Sequence, residues 1–165
     1  SWGLTRPVDA CLLMDVIEHL DDDRGAVANA VQALKPGGHL LITVPADPRL
    51  WSKHDRHHEH RRRYTTESLA RLLEPLPVTT RTLSYFNARL YYPIRFYRWL
   101  QSRFRFLDEW GTTGNLTEQP AWLNAMLTRL FYGEARRLQA ALEGAGPGYS
   151  HGVSLLALCR KEAAV

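Results

Sequence analysis

The chain has 165 residues, 45% hydrophobic and 23% charged, which suits one domain with a real core and excludes wholesale disorder. No apolar run approaches the roughly 20 residues that span a bilayer, so a soluble, cytoplasmic protein is expected. The net charge of +4 is modest, but arginines crowd between Arg49 and Arg63 and again between Arg81 and Arg105, a stretch with no acidic residue. That local excess points to an anionic ligand or surface rather than to nucleic acid.

Val8 to Ile17 is apolar throughout, the pattern of a strand buried on both faces in a parallel sheet. Asp21, Asp22 and Asp23 then supply carboxylates where a helix N-terminus wants them, and Val27, Ala30, Val31 and Leu34 recur at helical spacing. Lys35-Pro36-Gly37-Gly38 reads as the end of that helix, and Leu40 to Val44, closed by Pro45, as a second strand. Strand, helix and strand within about forty residues predict a right-handed βαβ crossover.

Pro45 to Tyr64 is polar, rich in histidine and arginine and without periodicity, the mark of a long functional loop. Thr65 or Thr66 can cap a short helix that turns Leu69, Leu72 and Leu73 inward and stops at Pro75 and Pro77. Val78 to Phe86 is a third strand candidate. From Pro93 to about Phe106 the spacing predicts an amphipathic helix with a basic polar face, followed by a connector from Asp108 to Pro120. A second long helix from Ala121 carries Leu123, Leu127, Leu130, Leu138 and Leu142, and Val153 to Cys159 is the last strand. Cys11 and Cys159 both fall in apolar, strand-like runs and read as buried thiols rather than a disulfide.

Three phrases in this order, DVIEHLDD at Asp15 to Asp22, LKPGGHLLITVP at Leu34 to Pro45 and WSKHDRHHEHRRRY at Trp51 to Tyr64, resemble the UbiG-like small-molecule branch of the class I S-adenosylmethionine-dependent methyltransferases. The closing HGVSLLALCRK is similar to that group's last strand. The resemblance implies an α/β fold: the C-terminal half of a Rossmann-like sheet, strands 4, 5, 6 and 7 in the order 4-5-7-6 with strand 7 antiparallel. Residues 1–86 and 149–165 would form the sheet core and residues 87–148 a helical insertion. The glycine-rich turn after strand 1 and the acid ending strand 2, which hold most of the cofactor in that family, are not in this sequence. Strand 4 would then be an exposed apolar edge, open to a missing N-terminal half or to a second copy of the chain.

The implied function is S-adenosylmethionine-dependent methyl transfer to a small-molecule, lipid-linked or saccharide acceptor. The alternative is a non-catalytic binding or partner module that uses the basic aromatic helix and the exposed strand edge. By resemblance Met14, Asp15 and Val16 would line the methionine side of the cofactor, with Glu18 and His19 nearby; otherwise Glu18 and His19 satisfy local backbone groups. For transfer to a hydroxyl a base must take the proton, and histidine suits that near neutral pH. His60 or His54 is the candidate base, Asp55 its orienter or a substrate anchor, and Trp51, Arg62, Arg63 and Tyr64 line the acceptor side. The competing reading is an ordered lid in which Asp55 pairs with Arg62 or Arg63.

His54, Asp55, His57, His58, Glu59 and His60 offer metal ligands but lack the spaced pairs of a structural zinc site, so no metal is expected. Glu134 falls on the apolar stripe of the last helix, where a carboxylate must reach the acceptor pocket or find a partner such as Arg137. Arg95, Arg98 and Arg105 alternate with Trp99 and Phe106, a make-up that suits an anionic lipid surface or, alternatively, a solvated arginine face with aromatic contacts to the next helix.

Overall fold

A computed structural model describes residues 6–103 and 120–163. Phe104, Arg105, Phe106 and the connector from Asp108 as far as Gln119 lie outside the described residues. β1 (Val8–Met14), α1 (Asp23–Ala33) and β2 (Leu34–Pro45) form the expected crossover, with β1 parallel to β2 and Met14 opposite Thr43. Ile17, Glu18 and His19 leave the strand as a single 3-10 turn rather than extending it. Asp22 caps α1, its carboxylate accepting the amide of Gly25 at 2.8 Å. Lys35 to Gly38 belongs to β2, which starts directly after the helix; Gly37 takes a φ of 78° that the strand register absorbs as an irregularity.

The loop before Tyr64 contains two short helices, a 3-10 turn at Pro48–Leu50 and α2 (Lys53–His57). α3 (Thr66–Leu73) is capped by Thr65 and buries Leu69, Leu72 and Leu73 as predicted. β3 (Val78–Phe86) leads through a turn at Ala88–Leu90 into α4 (Tyr91–Arg103), then α5 (Ala121–Leu142) and β4 (Ser154–Lys161). The sheet order is β1-β2-β4-β3, with β4 antiparallel to both neighbours. This is the order, and the reversed last strand, that the resemblance implies.

The core lies on one face of β2 and β4: Leu40, Ile42 and Val44 stand opposite Cys159, Ala157 and Leu155, all six fully buried, and Val27, Val31 and Leu69 cover that face. Both cysteines are free thiols, Cys159 buried and Cys11 half-buried. β1 differs from a strand buried on both faces. It hydrogen-bonds along one edge only, and Leu12 and Met14 are 60% and 57% exposed. Its apolar run is thus matched by a partner on the β2 side and by none on the other among the described residues.

Candidate functional site

In open α/β sheets ligands meet the carboxyl ends of the parallel strands. Here that is the end of β1. Asp15 sits at a φ of 50° and its amide still donates to Thr43 O at 2.9 Å, so the chain turns sharply while the sheet holds it. Met14 and Val16 on either side are exposed, whereas Ile17 and Glu18 are buried. Both carboxylate oxygens of Glu18 lack a hydrogen-bond partner. Burial pushes the Glu18 carboxyl above its usual range, against weaker help from its own backbone amide.

The segment after α2 locks onto this turn. The Arg61 amide donates to Glu18 O and its Nε to His19 O; Arg62 donates to Leu20 O and Asp21 O and pairs with Asp23 at 3.0 Å; Tyr64 Oη donates to Asp23 Oδ2 at 2.8 Å. Burial, then the Asp23 hydrogen bond, pushes the Tyr64 phenol up, so it stays a donor. Three successive sites on one strap thereby carry His60 to the Glu18 turn. The His60 and His19 rings meet edge to face with centroids 4.8 Å apart, and His19 Nε2 stands 3.9 Å from Glu18 Oε1.

Asp55 orders the other side of His60. It is fully buried and accepts the Ser52 amide and hydroxyl, Arg63 Nε at 2.8 Å, Arg63 Nη2 at 3.2 Å and His60 Nδ1 at 3.0 Å. Burial alone would raise its carboxyl, but the Arg63 and His60 hydrogen bonds outweigh that and hold it below the usual carboxylate range. Arg63 in turn donates to Ala46 O. With Nδ1 facing Asp55, His60 Nε2 is the nitrogen left for the Glu18 side. His54 and His58 complete the cluster, rings 4.1 Å apart, and His54 lies 6.5 Å from His60. Burial, then the neighbouring His58, lowers the His54 imidazole below its ordinary value, which favours the neutral base.

The sequence-predicted residues therefore divide. Glu18, His19, Asp55 and His60 converge, with His54 at the margin and Trp51 exposed nearby in sequence. Arg62, Arg63 and Tyr64 build the strap. Glu134 is elsewhere. It is buried, and its two oxygens accept the amides of Ala88 at 3.0 Å and Arg89 at 2.8 Å, tying α5 to the turn that opens α4. Glu134→Ala is expected to cost about 3 kcal/mol, since one buried and one half-buried amide lose a charged acceptor; urea unfolding measures it, and the more conservative Glu134→Gln should recover part of the loss. Asp47 was missed: buried at a φ of 55°, it accepts Arg49 Nε at 2.9 Å and Tyr91 Oη, and so fastens α4 to the loop.

Of the metal-ligand types named from sequence, Asp55 is engaged by Arg63, and the ligand atoms that gather within 4.8 Å are those of Glu18, His19 and His60. A cleft of about 370 Å³ lined by Asp23, Arg24, Arg62, Tyr64, Ser68 and Arg71 lies on the outer side of the strap and does not include Glu18 or the histidines.

Residues 2–76, somewhat less than half of the chain, match a family described as a methyltransferase domain. No curated protein matches the sequence. Among solved structures, the chain is similar to a candidate methyltransferase from Bacillus halodurans C-125 (13% identity, TM-score 0.55, covering 99% of this chain and 68% of that one). It is similar also to a SAM-dependent methyltransferase from Thermotoga maritima, described as a candidate histamine N-methyltransferase (15% identity, TM-score 0.52, 97% and 60%). A third is a candidate methyltransferase of Haloferax volcanii solved in complex with a methyltransferase activator (13%, TM-score 0.50, 98% and 58%). Against eight of the solved structures it matches, the chain spans between 33% and 68% of the other chain's length. By sequence over residues 2–76 and by fold across the described residues, the chain carries the α/β architecture of the class I methyltransferases.

Proposed function

We propose that this chain is the C-terminal half of a class I S-adenosylmethionine-dependent methyltransferase of the UbiG-like branch, acting on a hydroxyl of a small-molecule, lipid-linked or saccharide acceptor. The observation that carries the reading is the turn after β1, where a buried carboxylate without a partner, Glu18, faces two imidazoles beside an exposed strand end. Exposed Met14 and Val16 and the tightly turned Asp15 fit the methionine side of the cofactor. The free edge of β1 supports a further parallel strand, supplied by an N-terminal half, as the seat of the remainder.

S-adenosylmethionine, when bound, supplies an electrophilic methyl group. The chain's own residues manage the acceptor's proton. His60 Nε2, positioned through the Asp55 contact at Nδ1, takes the proton of the acceptor hydroxyl, and Asp55 behind the ring with Glu18 beside Nε2 holds the resulting positive charge. His54 is the alternative base. Exposed Trp51 stands on the acceptor side, while Arg62, Arg63 and Tyr64 hold the strap and Glu134 ties α5 to the turn before α4.

Calorimetric titration with S-adenosylhomocysteine tests this. The chain alone should not bind at micromolar concentration, whereas the chain joined to a glycine-rich strand-turn-helix encoded upstream should. Micromolar binding by the chain alone would overturn the half-domain reading, and no binding by the joined protein would overturn methyl transfer. A second reading rests on the 4.8 Å grouping of Glu18, His19 and His60 ligand atoms: a divalent cation held there orients the acceptor oxygen instead. Zinc titration of the chain, compared with His19→Ala, distinguishes the two.

A further inference from the structure

Among the described residues, the helices between β3 and β4 each carry a row of large aromatic side chains that stay more than half exposed, although the Tyr92 ring meets Tyr91 and His151 at its edge. On α4, Tyr92, Phe96, Trp99 and Arg103 follow at steps of four, three and four residues, one face of a helix. Tyr92, Phe96 and Trp99 are 61%, 61% and 58% exposed, with the Phe96 ring stacked on Trp99. On α5 the same spacing aligns Trp122, Met126, Arg129 and Arg136, with Tyr132 beside them; Trp122 and Tyr132 are 68% and 74% exposed. The opposite faces are the ones that pack, through Tyr91 on Asp47 and through Glu134 and Ala141. Rows of large exposed rings mark an interaction surface rather than ordinary solvent-facing helix.

Charge selects the partner. From Val78 to Arg103 the sequence has no acidic residue, and in α5 the one carboxylate, Glu134, is buried on backbone amides. Exposed Arg95 reaches the Tyr91 hydroxyl, a contact that does not neutralise its guanidinium. Among the described residues no helix is long and apolar enough to cross a membrane. Aromatic rings interleaved with arginine, on amphipathic helices whose exposed positions carry no acid, match the interfacial zone of a bilayer, where rings settle at headgroup level and guanidinium groups meet lipid phosphates.

We propose that the outer faces of α4 and α5 dock the protein on an anionic phospholipid bilayer. The contacts of Tyr91 with Asp47 and Arg49 then tie the docked α4 to the loop that carries α2 and the histidines. Docking itself does not depend on the methyl-transfer reading; it narrows that reading to an acceptor carried in, or presented at, a membrane.

The test is co-sedimentation of the chain with phosphatidylcholine vesicles made with and without phosphatidylglycerol, with circular dichroism confirming that each variant keeps its fold. The chain should partition onto the phosphatidylglycerol vesicles, less so as salt is raised. The double variants Tyr92→Ser with Phe96→Ser and Arg95→Glu with Arg103→Glu should each lose roughly tenfold or more of that binding. No partition onto phosphatidylglycerol vesicles, or equal binding by wild type and both variants, overturns the proposal, as does capture only by an acidic protein. S-adenosylhomocysteine calorimetry on the joined protein reports the catalytic reading separately, so the two failures cannot be confused.

Discussion

Replacing Asp55 with alanine should lower the unfolding free energy by about 3–5 kcal/mol. The carboxylate is fully buried and gathers five donors from three places: the amide and hydroxyl of Ser52 at the cap of α2, both arms of Arg63 and the His60 ring. Removing it strands the Arg63 guanidinium, only 7% exposed, without its counter-charge, and frees the His60 ring from the orientation that sets its Nε2 toward Glu18. Asp55→Asn should fall between wild type and alanine, because it keeps an acceptor for Ser52 but not the charge. Urea unfolding followed by far-UV circular dichroism measures both.

The same residue sets an acid limb. Its carboxyl is lowered in the folded state, so the stability it contributes is complete above the ordinary carboxylate range near ~4 and is lost as pH falls through the folded value. Asp55→Asn should flatten that limb. An alanine variant as stable as wild type would show that the strap does not depend on this contact.

Much of the frame was legible because it repeats. The βαβ unit, the Thr65 cap, β3 and the long α5 all follow from periodicity and end signals that act within a few residues. What escaped is short or distant. α2 has five residues and the Pro48 turn three, too few to show a period, although the Ser52 and Asp55 pair is a capping signal that could have placed α2. Lys35 to Gly38 carries helix-stop chemistry, yet the helix stops two residues earlier and the glycines serve a strand irregularity.

Glu134 was legible as a buried carboxylate from its place on the apolar stripe. Its partners, the Ala88 and Arg89 amides, lie about 45 residues away and were not. The meeting of Glu18 with His60 is of the same kind, made by a strap 42 residues on whose arginines look, from sequence, like substrate ligands.

Glu18→Leu should do the reverse of Asp55→Ala: it should stabilise the fold at neutral pH by about 1–3 kcal/mol and lower methyl transfer by roughly 10²–10⁴-fold in the joined protein. Glu18 is buried with neither oxygen satisfied, and the nearest imidazole nitrogen of His19 is 3.9 Å away, so the folded state carries its desolvation without a matching hydrogen bond. An apolar side chain of similar volume removes that cost. The pH dependence has the opposite sign to that of Asp55. Burial raises the Glu18 carboxyl, so the folded state binds the proton more tightly than the unfolded chain, and stability falls as pH climbs from the ordinary carboxylate value through the raised one. Glu18→Gln should abolish that fall while keeping the shape. A carboxylate kept at such a position against stability is one retained for what it does to a bound molecule or a proton. Urea unfolding of Glu18→Leu at pH 5 and pH 8 decides the matter, because a variant less stable than wild type at both would mean that Glu18 has a structural partner and His60 no charge-bearing neighbour to work with.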